Sequence, residues 1–386
     1  MSMMEKLLRL LAEKKGSDLF LSPGSPAHVK INGATLPINQ QKLDPGAVAA
    51  LIRQVVTDRQ WQEFEDRREL NIGYSVSAVG SFRVNVFRQR GSPACVIRYI
   101  PGDIPKFEQL GLPDSMRQLV MEPRGLVLVV GATGSGKSTT LASLIEYRNE
   151  NRTGHILTFE DPIEFTFRNK RSIVNQRQIG TDTDSLLVGL RNAMRQAPDC
   201  IMIGEIRDLE TMSAAIAYAQ SGHLVLATLH ANNTYNALNR IVSFYPPENR
   251  RVMLADLAGT LRSIASQRLI RSTSGGRVPA VELLLNTRYV AELIEQSSLS
   301  EVKDAMEKSL AAGSQTFEQA LLGMVQAGKI SREDALAHAD SPTNLLWLLE
   351  NSERSSSTSA TAPPIDTTAA RRPTDGPSFS EFLLNI

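Results

Sequence analysis

"GATGSGKST", residues 131–139, is the stretch from which the rest of the chain is read. It has the Walker A spacing: Gly131, four residues, then Gly136, Lys137 and Ser138. The preceding run, "GLVLVV" (125–130), is short, apolar and rich in Val and Leu, as a strand buried on both faces requires. The following run places Leu141, Leu144 and Ile145 at helical spacing. A strand, a glycine loop and a helix form the context in which such a loop binds phosphate. Glycines let the backbone wrap closely, so that successive N–H groups of Gly131, Ala132, Thr133, Gly134, Ser135, Gly136, Lys137, Ser138 and Thr139 can face phosphate oxygens. The helix start adds positive potential. Lys137 is expected to reach the β- and γ-phosphates and the Ser138 hydroxyl to ligate Mg²⁺, so the expected ligand is Mg-ATP.

Three further stretches sit at predicted strand ends. "LTFEDPIEF" (157–165) puts Glu160, Asp161 and Glu164 just past a strand, where carboxylates can hold Mg²⁺ through water and orient an attacking water. "APDCIMIGEIRDLET" (197–211) carries an apolar strand ending at Gly204 and Glu205, the place of a Walker B acid close to the metal. Asp199, at the other end of that strand, is expected to bond locally, and Arg207 with Asp208 to form an ion pair. "SGHLVLATLHANNT" (221–234) ends a strand at His230, which is placed to sense the γ-phosphate. His223, at the start of that strand, is about 20 Å away along it, so the two are not a metal pair within one chain. Arg83, Arg88 and Arg98 lie on strands of the first domain. A solvated face explains any one of them. A multimeric ATPase, however, needs such cations at a subunit interface to offset charge on the transferred phosphate.

The chain has 386 residues, enough for two or three domains. With 42 basic and 41 acidic residues it exerts no long-range pull on nucleic acid, and its 5% aromatic content offers no base-stacking platform. Both cysteines, Cys95 and Cys200, lie in apolar stretches and read as buried free thiols. No run approaches the roughly 20 apolar residues of a membrane span, and the N-terminus lacks a signal peptide's features, so the expected location is cytoplasmic.

The pattern divides the chain into five parts. Residues 1–100 read as a small α+β domain. It has an amphipathic first helix, a hairpin from 18–23 and 28–33, one helix over 46–68 opened by Asp44 and Pro45, and three antiparallel strands. Residues 101–113 are expected to be an irregular linker because of their prolines and glycines, anchored by Ile104, Phe107 and Leu110. Residues 114–272 alternate strand and helix, with four strands at 126–130, 156–159, 201–203 and 223–228, which implies a parallel α/β sheet with ligands at its carboxyl edge. Residues 273–350 read as a hairpin followed by helices, one of them capped by Ser331 with Asp334. Residues 351–386, rich in Ser, Thr, Pro and Ala, read as a disordered tail ending in an apolar "SFSEFLLNI".

In these residues the chain resembles the type II and type IV pilus secretion ATPases, most of all the PilT/PilU branch that drives pilus retraction. The resemblance rests on "GATGSGKSTTLA", "ILTFEDPIEF", "IMIGEIRDLET" and "SGHLVLATLHANN", in that order, and on "GSDLFLSPGSPAHVKINGA" and "GSFRVNVFRQRG" in the first domain. Phe20, where PilT has a histidine, and the long tail place it nearer the PilU side. The resemblance implies a hexameric ring of PAS-like N-terminal and RecA-like P-loop domains, with nucleotide bound where the two domains meet between subunits. It assigns water activation to Glu160 or Glu164, Mg²⁺ support to Glu205 and phosphate contact to Arg83, Arg88 and Arg98. It matches His223 and His230 to the family's histidines. The partners it implies are a PilT-like ATPase and the inner-membrane platform protein of the pilus, with work done as pilus retraction. Two other functions share the motifs: an ATP-binding accessory subunit acting only with such a motor, and an assembly ATPase of type II secretion. A RecA-like nucleic-acid translocase is disfavoured by the neutral charge.

Overall fold

The computed structural model describes residues 1–358 except 32, 78, 102, 103, 309, 310 and 312. Its first domain is built on a six-stranded antiparallel sheet of order β3-β2-β1-β6-β5-β4. Strands β1 (Asp18–Leu21), β2 (His28–Ile31) and β3 (Ala34–Pro37) continue through β4 (Glu69–Val76), β5 (Gly80–Gln89) and β6 (Ser92–Pro101). Helix α1 (Met3–Glu13) turns Met4, Leu8 and Leu11 into the domain core, beside Phe64, Phe82 and Ile97. Ser2 caps its start by accepting from the Glu5 N–H.

The single helix expected over 46–68 is two. Helix α2 (Pro45–Ile52), capped by Asp44, stops, and Thr57 opens α3 (Asp58–Arg67) with a full capping box to Gln60. The two orphan N–H groups satisfied there are the physical reason for the break. The expected linker also holds a short helix, α4 (Phe107–Leu110), which closes at left-handed Gly111; Phe107 is buried under the second domain. Its prolines flank this turn rather than forbid it.

Helix α5 (Ser115–Met121) leads into a seven-stranded sheet. In chain order its strands are β7 (Gly125–Val130), β8 (Gly154–Glu160), β9 (Ser172–Gln178), β10 (Cys200–Ile203), β11 (Leu224–Leu229), β12 (Leu261–Arg271) and β13 (Arg277–Leu285). The spatial order is β13-β12-β7-β11-β10-β8-β9, parallel throughout except for β13. All six residues of β7 are buried. Leu126, Leu128 and Val130 face one core with Ile201, Val225 and Leu257, while Val127 and Val129 face the other with Leu141 and Ile145. The strand period of two therefore feeds two hydrophobic layers, each buried Val or Leu contributing about 1.5–3 kcal/mol. Helices α6 (Lys137–Asn151), α7 (Leu186–Ala193), α8 (Leu209–Gln220), α9 (Thr234–Phe244) and α10 (Arg250–Thr260) supply the covering faces.

Strand β9 was not among the four expected. It is an edge strand with Ile173 exposed and Val174 buried, so its apolar signal is thin. Strand β12 begins at Leu261, inside the part expected to end at 272 and ahead of the expected hairpin, and pairs with β7 as well as β13.

After β13 come α11 (Arg288–Glu295), α12 (Val302–Glu307), α13 (Phe317–Gln326), α14 (Arg332–His338) and α15 (Pro342–Thr358). Phe317, Leu321, Ala335, Leu345 and Leu349 pack on Ile270 and Ala280, seating the last three helices on the β12–β13 hairpin. Ser331 caps α14 through the Asp334 N–H, as its spacing requires. Helix α15 runs through Thr358, past residue 351 where disorder was expected to begin; the rest of that expected tail, 359–386, lies outside the described residues.

Candidate nucleotide site

The glycine loop leaves β7 at Val130 and enters α6 at Lys137. Gly134 (φ 78°) and Gly136 (φ 89°) are left-handed, a conformation side chains rarely adopt. A Cβ on Gly131 would lie 2.4 Å from Ser135 Oγ and 2.6 Å from the Gln267 carbonyl oxygen. The loop is thus folded as tightly as its glycines permit. Lys137 Nζ is turned back over it, donating to the Gly131 and Ala132 carbonyls, both at 2.9 Å. Burial lowers the pKa of this ammonium; Glu205 and Glu164, the two carboxylates that act on it, oppose the shift.

The acids converge on the same edge. β8, β10 and β11 are adjacent and in parallel register, so their carboxyl ends bring Glu160, Glu205 and His230 to one side of the loop. A cavity of about 680 Å³ opens there, lined by Lys137, Ser138, Glu160, Glu164, Glu205 and His230. Thr133 and Gly134 also line it, and Arg83 reaches it from β5.

The two glutamates of the 157–165 segment differ. Glu160 is buried and is held at Oε1 by the Thr158 hydroxyl (2.6 Å) and Gln176 Nε2 (3.1 Å). Burial raises its pKa, and those two hydrogen bonds partly offset the rise. Glu164 is partly exposed and pairs with Arg83 NH2 at 3.3 Å. Glu205 Oε2 accepts from Arg207 Nε at 2.8 Å and lies 2.7 Å from Arg207 Nη2, while Glu205 Oε1 lies 3.2 Å from His230 Nε2.

The expected ion pair between Arg207 and Asp208 is not formed. Arg207 turns to Glu205, and Asp208 caps α8 by accepting from the Thr211 N–H at 2.8 Å. An N-cap position with an unpaired amide three residues on outcompetes a neighbouring cation in that role. Asp199 does not bond within its own segment as expected: its Oδ2 accepts from the His155 N–H at 2.8 Å, on the adjacent strand β8. His223 bonds to Ser221 and the Tyr218 carbonyl at the far end of β11, outside the cavity.

Of the three arginines, the fold brings only Arg83 to the cavity of its own chain. Arg88 pairs with Glu65 and lies over the Phe64 ring; Arg98 pairs with Asp18 at 2.9 Å. Sequence reasoning passed over Thr158 and Gln176, which hold Glu160 in place, and gave Arg207, which holds Glu205, another partner. Thr158 was within reach, being two residues before Glu160 and therefore on the same strand face.

The chemistry of the cavity fits a nucleoside triphosphate with a hard cation. The glycine loop at Thr133 and Gly134 and the Lys137 ammonium line it, and a hydroxyl (Ser138) and a carboxylate (Glu205), both oxygen donors suited to Mg²⁺, share the wall. Ser135 Oγ, in the loop, is buried with no hydrogen-bond partner among the described residues. Cys95 and Cys200 are buried and free, their thiols pushed up to about 12 and about 11 by burial, and take no part. Among the described residues no helix is long and apolar enough to cross a membrane.

Comparison with known proteins points to a family of ATPases. The chain is 46% identical to the type IV pilus ATPase PilU of Pseudomonas aeruginosa, over 90% of this chain and 91% of that one. It is 40% identical to the retraction ATPase PilT of the same organism, over 88% and 98%. A crystal structure of the pilus retraction motor PilT with bound ADP matches at a TM-score of 0.83 and 39% identity, covering 89% of this chain and 98% of that one. Residues 2–336 match the family described as type II/IV secretion system protein. With its RecA-like P-loop core and PAS-like first domain, the chain belongs to the type II/IV secretion system protein family, in the PilT/PilU branch of pilus ATPases.

Proposed function

We propose that the chain binds Mg-ATP at the glycine loop and hydrolyses it as one subunit of a hexameric motor that powers or assists pilus retraction. The convergence of Lys137, Ser138, Glu164, Glu205 and His230 on one cavity carries this reading. Lys137 and the loop amides bind the phosphates. Bound Mg²⁺, held by Ser138 and supported by Glu205, would neutralise charge on the transferring phosphoryl group. Glu164 orients the attacking water and takes its proton: of the two glutamates of its segment it is the more exposed, and it acts on Lys137. Glu160, whose Oε1 is already held by Thr158 and Gln176, supports the segment from below. Arg83 belongs to the first domain, so movement of that domain alters the charge beside Glu164. Arg88 and Arg98 are proposed to face a neighbouring subunit.

The partners that fit are a second, PilT-like ATPase and the platform protein at the inner membrane, which places the ring in the cytoplasm at that face. The test is phosphate release by purified protein at saturating ATP and Mg²⁺. Lys137→Ala and Glu205→Ala should each abolish most of it, and rates unchanged in both would end the hydrolytic reading. Turnover seen only when a PilT-like ATPase is added would favour the accessory role.

A further inference from the structure

The glycine loop is clasped from the side by a residue that none of the sequence motifs contains. Gln267 lies on β12, one residue past Ser266, which pairs in register with Val130 at the end of β7. It therefore stands beside Gly131, where the loop departs. Its side chain is buried, at 3% exposure. Gln267 Nε2 donates to the Ser135 carbonyl at 2.8 Å, and the Thr140 hydroxyl donates to Gln267 Oε1 at 2.7 Å. A Cβ on Gly136 would come within 2.7 Å of Gln267 Nε2, and one on Gly131 within 2.6 Å of its carbonyl oxygen. Both ends of the loop are thus folded onto this one residue.

We propose that Gln267 is a positioning residue for nucleotide binding, acting by fixing the orientation of the Ser135–Gly136 peptide. A trans peptide holds its C=O and N–H on opposite sides. Drawing the Ser135 carbonyl toward β12 points the Gly136 N–H away from β12, to the side on which phosphate oxygens are received. Thr140 completes the device. Its hydroxyl, one turn into α6, donates to the amide oxygen of Gln267, and this leaves the amide NH₂ facing Ser135. Without Gln267 the Ser135 carbonyl would be buried without a donor. The peptide would then be free to turn, and the cradle would lose one inward N–H.

The inference rests on the nucleotide-binding reading and is tested by equilibrium binding of a fluorescent ADP analogue to the full chain, alongside KM and kcat for ATP. Gln267→Glu keeps an acceptor for Thr140 but sets a carboxylate against the Ser135 carbonyl. Gln267→Leu removes both bonds. Each should weaken ADP binding and raise KM about tenfold or more, with kcat at saturation within about threefold of the parent. Thr140→Val should weaken binding in the same direction, and Thr140→Ser, which restores the hydroxyl, should recover parental affinity.

Folded Gln267 variants that bind ADP within twofold of the parent, or that lose kcat at unchanged KM, would overturn the proposal. If the Gln267 variants do not fold, the Thr140→Val and Thr140→Ser pair decides it, equal affinity in the two being the contrary result. A parent protein that binds no ADP would instead remove the nucleotide reading, and this inference with it.

Discussion

His230 Nε2 and Glu205 Oε1 stand 3.2 Å apart, across the carboxyl ends of two adjacent strands. Glu205 Oε2 is held by Arg207, so both oxygens of this acid are engaged by side chains that the strand ends put there. The carboxylate is therefore oriented from two sides. Removing one orienting partner should lower kcat about 10- to 100-fold, the range seen when groups behind a metal ligand are lost. His230→Ala should show that loss. His230→Gln, which keeps a donor toward Glu205, should retain several-fold more activity than His230→Ala, measured as phosphate release at saturating ATP.

Arg83 and Glu164 join the first domain to the acidic segment at 3.3 Å. If Glu164 orients the water, Glu164→Gln should reduce kcat by about 10²-fold or more with little change in KM. Glu160→Gln keeps the shape of a side chain whose Oε1 already accepts two hydrogen bonds, and should be the milder substitution. Equal losses in the two variants would assign the role to neither acid alone. A larger loss in Glu160→Gln would transfer it to the buried one.

The raised pKa of Glu160 lets the pH dependence of turnover test which acid is the base. Burial favours the protonated form, and the hydrogen bonds from Thr158 and Gln176 favour the ionised one. Thr158→Val deletes one of those donors, so the carboxyl pKa should rise further. With Glu164 as the base and the neutral Glu160→Gln expected to be mild, the acid limb of the kcat profile should nevertheless stay in place in Thr158→Val. A shift of that limb to higher pH would show that Glu160 must be ionised for turnover and would transfer the role of base to it.

The site was legible where its chemistry is carried by local sequence, and hidden where it depends on strands meeting across the sheet. Lys137, Ser138, Glu160, Glu164, Glu205 and His230 follow strands whose apolar runs mark their ends, and strand order then gathers them at one edge. Gln176 sits on β9, an edge strand with little apolar signal, so neither the strand nor its grip on Glu160 could be read in advance. Gln267 lies more than a hundred residues from the loop it holds, and its role exists only because β12 pairs beside β7. The break between α2 and α3 was written in Thr57 and Gln60, but the longer apolar pattern masked it. Arg88, five residues from Arg83 on β5, falls on the opposite face by the strand period of two, a separation that the spacing already held. Arg98, the cross-strand partner of Arg83, could not be told apart in this way. The pairing of Arg88 with Glu65 and of Arg98 with Asp18 is a property of tertiary contact.

Glu282, on β13, is buried at the seat of the C-terminal helices, and its Oε2 accepts from the Thr234 N–H at 2.7 Å, at the start of α9. Burial pushes its carboxyl up to about 7 from an ordinary 4.5, the Thr234 hydrogen bond lowers it, and Asp340 and Glu318 nearby raise it. The folded state thus holds a proton that the unfolded chain releases near its ordinary pKa. Stability from this group is complete below pH 4.5 and is lost as pH rises through about 7. The full difference is on the order of 3 kcal/mol, from about 1.4 kcal/mol per pKa unit. Glu282→Gln remains neutral and can still accept from Thr234. Its melting temperature should match the parent near pH 5 and exceed it by several degrees at pH 8. A margin that is the same at both pH values would mean that this carboxyl does not change charge on unfolding in that range.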